Sequence, residues 1–73
     1  MKITDLGGKY VSVKISNGEI FKGFVEFVET EADADDGVSS IDLKGTKQFP
    51  YNDVNLRDDE IVSFKIINKK DIQ

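Results

Sequence analysis

Seventy-three residues with 14 acidic and 10 basic side chains, a formal net charge of -4, allow a single small domain with a thin core. A chain of about 60 residues buries only roughly 60% of the surface it exposes when unfolded. Without cysteine or histidine, the chain has no disulfide framework, no zinc site of the usual spacing and no imidazole for acid–base work, so packing alone must stabilise it. The acidic excess opposes phosphate backbones and anionic membranes, and charge of this size also keeps a small domain soluble. Met1-Lys2-Ile3-Thr4-Asp5 lacks the apolar run of a signal peptide, which leads to the expectation of a soluble cytoplasmic protein.

Near the N-terminus, Ile3 and Leu6 stand three apart, Thr4 or Asp5 can accept capping hydrogen bonds, and Gly7-Gly8 stops the turn. The pattern predicts one helical turn plugging an end of a barrel. From Lys9 the period changes to two, with Val11, Val13 and Ile15 on one face and Tyr10, Ser12, Lys14 and Ser16 on the other, the mark of a half-buried strand. Asn17-Gly18 predicts a tight type I′ hairpin turn, because both residues tolerate positive φ. The second strand, Glu19 to about Thr30, is apolar on both faces: Phe21, Val25 and Phe27 alternate with Ile20, Phe24 and Val28. Gly23 inside it predicts a bend or bulge that lets one strand serve both sheets of a small barrel.

Thr30 to Gly37 is an acidic solvated loop in which Glu31, Asp33, Asp35 and Asp36 crowd together after Glu29. Ile41 and Leu43 alternate with Ser40, Asp42 and Lys44 as a third strand, and Gly45-Thr46 turns the chain. Phe49 and Tyr51 mark a fourth strand, which Pro50 interrupts; a proline cannot donate to the ladder, so this strand is expected at an edge. Val54 and Leu56 lead into the polar corner Arg57-Asp58-Asp59-Glu60, and Ile61 to Ile67 forms the fifth strand. Residues 68–73, with Lys69-Lys70, read as a frayed tail of one domain spanning residues 1–73. Val11, Val13, Ile15, Val25, Phe27, Ile41, Leu43 and Phe64 are the expected core.

One helical turn followed by five strands, the second of them bent, resembles the Sm and Sm-like (LSm) family over nearly the whole chain. Gly8-Lys9-Tyr10-Val11-Ser12-Val13-Lys14-Ile15 is similar to that family's first strand. Asn17-Gly18-Glu19-Ile20-Phe21-Lys22-Gly23-Phe24-Val25 is similar to its hairpin, glycine and second strand. Leu56-Arg57-Asp58-Asp59-Glu60-Ile61-Val62 resembles the second Sm motif, with Asp58 where glycine is usual. A register ending the fourth strand at Tyr51-Asn52-Asp53-Val54 is closer to the Sm-like C-terminal domain of the bacterial ribosome-maturation factor. The resemblance implies an all-β, five-stranded SH3-like barrel with a short N-terminal helical turn; an OB-type barrel is the second architecture.

Sm-type RNA binders hold a uracil between a side chain of the loop after strand two and a basic residue of the loop before strand five. Carried onto this chain, the family's acidic position falls on Glu29, its stacking position on Glu31, its base-reading position on Asp33 and its basic position on Arg57. Only Glu29 and Arg57 agree. A carboxylate at Glu31 offers no π face, and one at Asp33 repels phosphate, so the resemblance implies the fold without its usual RNA site. Sm rings pair strand four of one subunit with strand five of the next, and Pro50, Asn52 and Asp53 argue for a monomer or small oligomer over a closed ring.

Other chemistries find little support. With Gly37 taken as the sixth position of a calcium-binding loop, Ala32 and Ala34 fall on the first two ligand sites. Ser39 and Ser40 lie near Asp36 and Asp42 in sequence, but serines and aspartates flanking a strand are ordinary turn chemistry, and no base of suitable pKa accompanies them. No catalytic group, cofactor or metal is implied. Tyr10, Phe24 and Tyr51 are aromatics expected outside the core, covering a barrel end or a subunit contact. The expectation is a non-catalytic binding or assembly module with a protein partner, with an RNA-binding subunit as the alternative.

Overall fold

The computed structural model describes residues 1–72; Gln73 lies outside the described residues. A 3-10 turn at Ile3–Asp5 precedes β1 (Tyr10–Ile15), β2 (Ile20–Glu29), β3 (Ser40–Lys44) and β4 (Val54–Arg57). A second 3-10 turn, Asp58–Glu60, leads into β5 (Ile61–Ile66), and a third spans Lys69–Ile72. The strands form one antiparallel sheet in the order β4-β3-β2-β1-β5, which the hydrogen-bond ladder does not close. The N-terminal turn behaves as its apolar spacing predicts. Ile3 and Leu6 are 2% and 0% exposed, and the turn packs against β3. The Asp5 carboxylate accepts a hydrogen bond from the Lys2 amide at 3.0 Å.

The β1–β2 hairpin departs from the predicted type I′ turn. Only Gly18 takes positive φ (89°), and Asn17 does not. The Gly18 amide donates to the Ile15 carbonyl at 2.9 Å, and the Ile15 amide to Glu19 at 3.0 Å, a three-residue loop ending in a left-handed glycine. Asn17 contributes through its side chain instead: its Oδ1 accepts from the Glu19 amide at 2.8 Å.

The double-sided apolar pattern of β2 has a specific cause. Val25 pairs with Leu43 and Phe27 with Asp42, so Glu26 is an extra residue in this strand. Such an insertion reverses which residues face inward. Phe21 and Val25 point into the core before it, and Val28 packs against the core after it. Phe27, expected inside, is 61% exposed. Gly23 serves close approach: a Cβ there would meet the Lys44 carbonyl oxygen at 2.8 Å.

The fourth strand lies later than Phe49 and Tyr51 suggest. Residues 45–53 form a loop, Pro50 sits in a turn and Tyr51 is 94% exposed. Phe49 stacks on buried Phe21, with ring centroids 6.4 Å apart, and its amide donates to the Oγ1 of buried Thr46. Pro50, Asn52 and Asp53 are therefore outside the ladder and do not weaken β4 as an edge. The core comprises Ile3, Leu6, Val11, Val13, Phe21, Val25, Ile41, Leu43 and Leu56, with Ile15 and Phe64 only partly buried against it. In the segment read as a frayed tail, the Asp71 amide donates to the Asn68 carbonyl at 2.9 Å, closing the last 3-10 turn.

Candidate functional site

Three groups of outward-facing side chains follow from the register. The first contains the residues the family resemblance singles out. Glu29 and Asp33 line one shallow cleft with Phe27, Asp42 and Asn55. Glu31 lines a different one, beside Lys2, Ser39, Asp58 and Phe64. The acidic loop folds on itself: the Asp33 and Ala34 amides both donate to the Thr30 carbonyl, and the Thr30 hydroxyl donates to Asp33. The stacking and base-reading positions thus diverge.

Arg57, the last residue of β4, turns toward carboxylates. Its guanidinium lies 2.7 Å from Asp36 and 3.1 Å from Asp59, with a further 3.3 Å hydrogen bond from Nε to Asp59. The Asp59 hydrogen bond, then the charge of Asp36, raises the guanidinium pKa, so Arg57 stays charged at every ordinary pH. Its donors are directed at two carboxylates of the same chain, and this pairing ties the acidic loop to the corner before β5. Arg57 also pairs across the ladder with Ser40, and its amide donates to the Glu60 carboxylate at 3.0 Å.

Next to it, Asn55 donates through Nδ2 to Asp42 at 2.8 Å and to Ser40 at 3.1 Å. This polar cross-strand link was not legible in the sequence, because it depends on β4 starting at Val54. Ser40 and Asp42, read as turn chemistry, belong to it. Among the described residues no group of three acidic side chains is arranged to hold a metal ion, and no helix is long and apolar enough to cross a membrane.

The second group is aromatic. Tyr10 and Phe24 pair across β1 and β2 with centroids 5.1 Å apart and line a cleft with Lys44, Lys69 and Ile72. The third is basic. Lys22, Ser12 and Lys65 form one rank across β2, β1 and β5, and Ile20, Lys14 and Ser63 form the next. These lysines are far apart in sequence, although reflection of the chain about the Asn17-Gly18 turn already sets Lys14 and Lys22 on one face. The chain matches no family model, no curated protein and no solved structure.

Proposed function

We propose that the chain is a non-catalytic Sm-like, SH3-like barrel domain serving as a protein-interaction or assembly module. The element order supports the architecture: one helical turn, five antiparallel strands, a second strand bent at a bulge and a short 3-10 turn between the last two strands. The observation that carries the function is the engagement of Arg57 by Asp36 and Asp59. It occupies the one basic group that the RNA-binding pattern would need, while Glu31 and Asp33 face different clefts. A nucleobase would have to break two ion pairs and meet carboxylates where stacking and hydrogen-bonding groups are required.

The open side of the sheet favours a protein partner. On β5, Val62 and Ile66 are 64% and 48% exposed, although Ile66 stands beside fully buried Val11. An apolar rank half uncovered at a strand edge suits another polypeptide. A four-residue β4 and the register shift opposite Lys14 and Ile15 blunt extended strand-on-strand pairing, so a monomer or small oligomer is expected in light scattering at about micromolar concentration. Anisotropy of labelled oligouridine at physiological salt should show no binding tighter than about 1 μM. Sub-micromolar affinity that disappears in Arg57→Ala would replace this reading with the alternative, a single-stranded RNA-binding subunit.

A further inference from the structure

We infer that the outer face of β2, β1 and β5 docks a short acidic segment of a partner protein, held by Lys14, Lys22 and Lys65 around Ser12 and Ser63. The inference rests on the protein-interaction reading and names the chemistry of the partner. The charge of this face is opposite to the net charge of the molecule. Although the chain carries a net charge of -4, the cleft here is lined by Ser12, Lys14, Ile20, Lys22, Ser63 and Lys65 with Phe64 beneath, and no carboxylate lines it among the described residues. Lys44 and Arg57 have acidic neighbours, whereas Lys14, Lys22 and Lys65 form no ion pair among the described residues. The acidic groups gather on the other half of the outer face, where Glu29, Asp33 and Asp42 surround Phe27.

Geometry sets the size of the ligand. Lys22 and Lys65 flank Ser12 on the two adjacent strands, which puts their backbones about 10 Å apart, twice the spacing between strands. Lys14 lies one pleat repeat further, about 7 Å along the strand. An extended peptide running along the strands repeats its own same-face side chains at that interval, so two or three alternate carboxylates meet the two ranks of lysines. Ser12, between Lys22 and Lys65 in the ladder, is only 8% exposed and lines the same cleft. Exposed Ile20 at the rim supplies an apolar contact. Past Ile20 and Lys22 the neighbouring cleft adds Lys47 and Gln48, whereas toward Phe27 the outer face turns acidic. A long polyanion continuing toward Phe27 would meet Glu29, Asp33 and Asp42, and a segment with a few charges would not.

The test is a two-dimensional amide NMR titration of the whole chain with an octapeptide of alternating glutamate and threonine, repeated with glutamine for glutamate, at low and physiological salt. Shifts concentrated on Ser12, Lys14, Lys22, Ser63 and Lys65, absent with the glutamine peptide and weakened at least fivefold in Lys14→Gln/Lys22→Gln/Lys65→Gln, are expected. The substitutions are at exposed positions, and an unchanged spectrum elsewhere verifies folding. No shift at millimolar peptide, or shifts indifferent to the three substitutions, would overturn the inference while leaving the protein-interaction reading standing. Oligouridine binding more tightly than the peptide through the same lysines would overturn both. A fall in oligomer mass caused by the three substitutions would assign the face to a second copy of the chain and overturn the acidic-partner inference alone.

Discussion

The middle of the sheet and its β5 edge share side chains of similar character but not of similar burial. In β1, Val11 and Val13 are 0% exposed; their direct partners on β5, Ile66 and Phe64, are 48% exposed and partly buried. The difference lies in what covers each rank. Strands on both sides and the Ile3–Leu6 turn enclose the central residues, whereas among the described residues no strand pairs with the far side of β5. Register thus sets which face a residue takes, and neighbouring strands determine how much water it loses. The apolar content of β5 exceeds what this sheet needs for its own core.

The contrast can be tested by substitution, beginning where the largest effect is expected. Leu43→Ala, at a fully buried position on β3, should lower stability by about 2–5 kcal/mol in urea denaturation, as buried leucines do. Gly23→Ala should cost about 1–3 kcal/mol, because its Cβ would press on the Lys44 carbonyl at 2.8 Å, a backbone atom that cannot rotate aside. Ile66→Ala, half exposed, should cost only about 1 kcal/mol; a loss as large as that of Leu43→Ala would show β5 covered in solution and erase the contrast. Phe27→Ala should change stability by less than about 1 kcal/mol, where a buried phenylalanine would lose about 3–5. Finally, Glu31→Tyr with Asp33→Asn should gain no oligouridine affinity, since the two positions line separate clefts; a tenfold gain in anisotropy titration would show that the loop can assemble a single site.

Much of the architecture was legible because alternation reports burial directly. Val11, Val13, Val25, Ile41 and Leu43 alternate and are buried, and Ile3 with Leu6 announced the N-terminal turn. The errors came from features that alternation cannot register. Phe49 and Tyr51 looked like strand residues, but the chain uses Phe49 to cap Phe21 through a loop anchored by Thr46. That displacement removed Pro50 from β4 and hid the Asn55–Asp42 link. For the candidate site, Glu29, Glu31, Asp33 and Arg57 could be named from their order in the chain, but their mutual arrangement could not. Asp36 is the nearest partner of Arg57 because of how the acidic loop doubles back on Thr30, a long-range consequence of local turns.

The extra residue in β2 works like an added letter in a line of text read two letters at a time. With Glu26 removed, Val25, Phe27 and Val28 would alternate without interruption, and Phe27 would still stand opposite Asp42 with Val28 opposite Ile41. A chain one residue shorter at this point therefore keeps the same inward and outward sets and loses mainly the local bend. One residue added elsewhere in the strand without a bulge to absorb it instead exchanges the two sets and turns Lys22 or Glu29 toward the core. Length variation at the existing bulge thus leaves the core set intact, which makes Glu26 a position where the curvature of the sheet can change independently of its core.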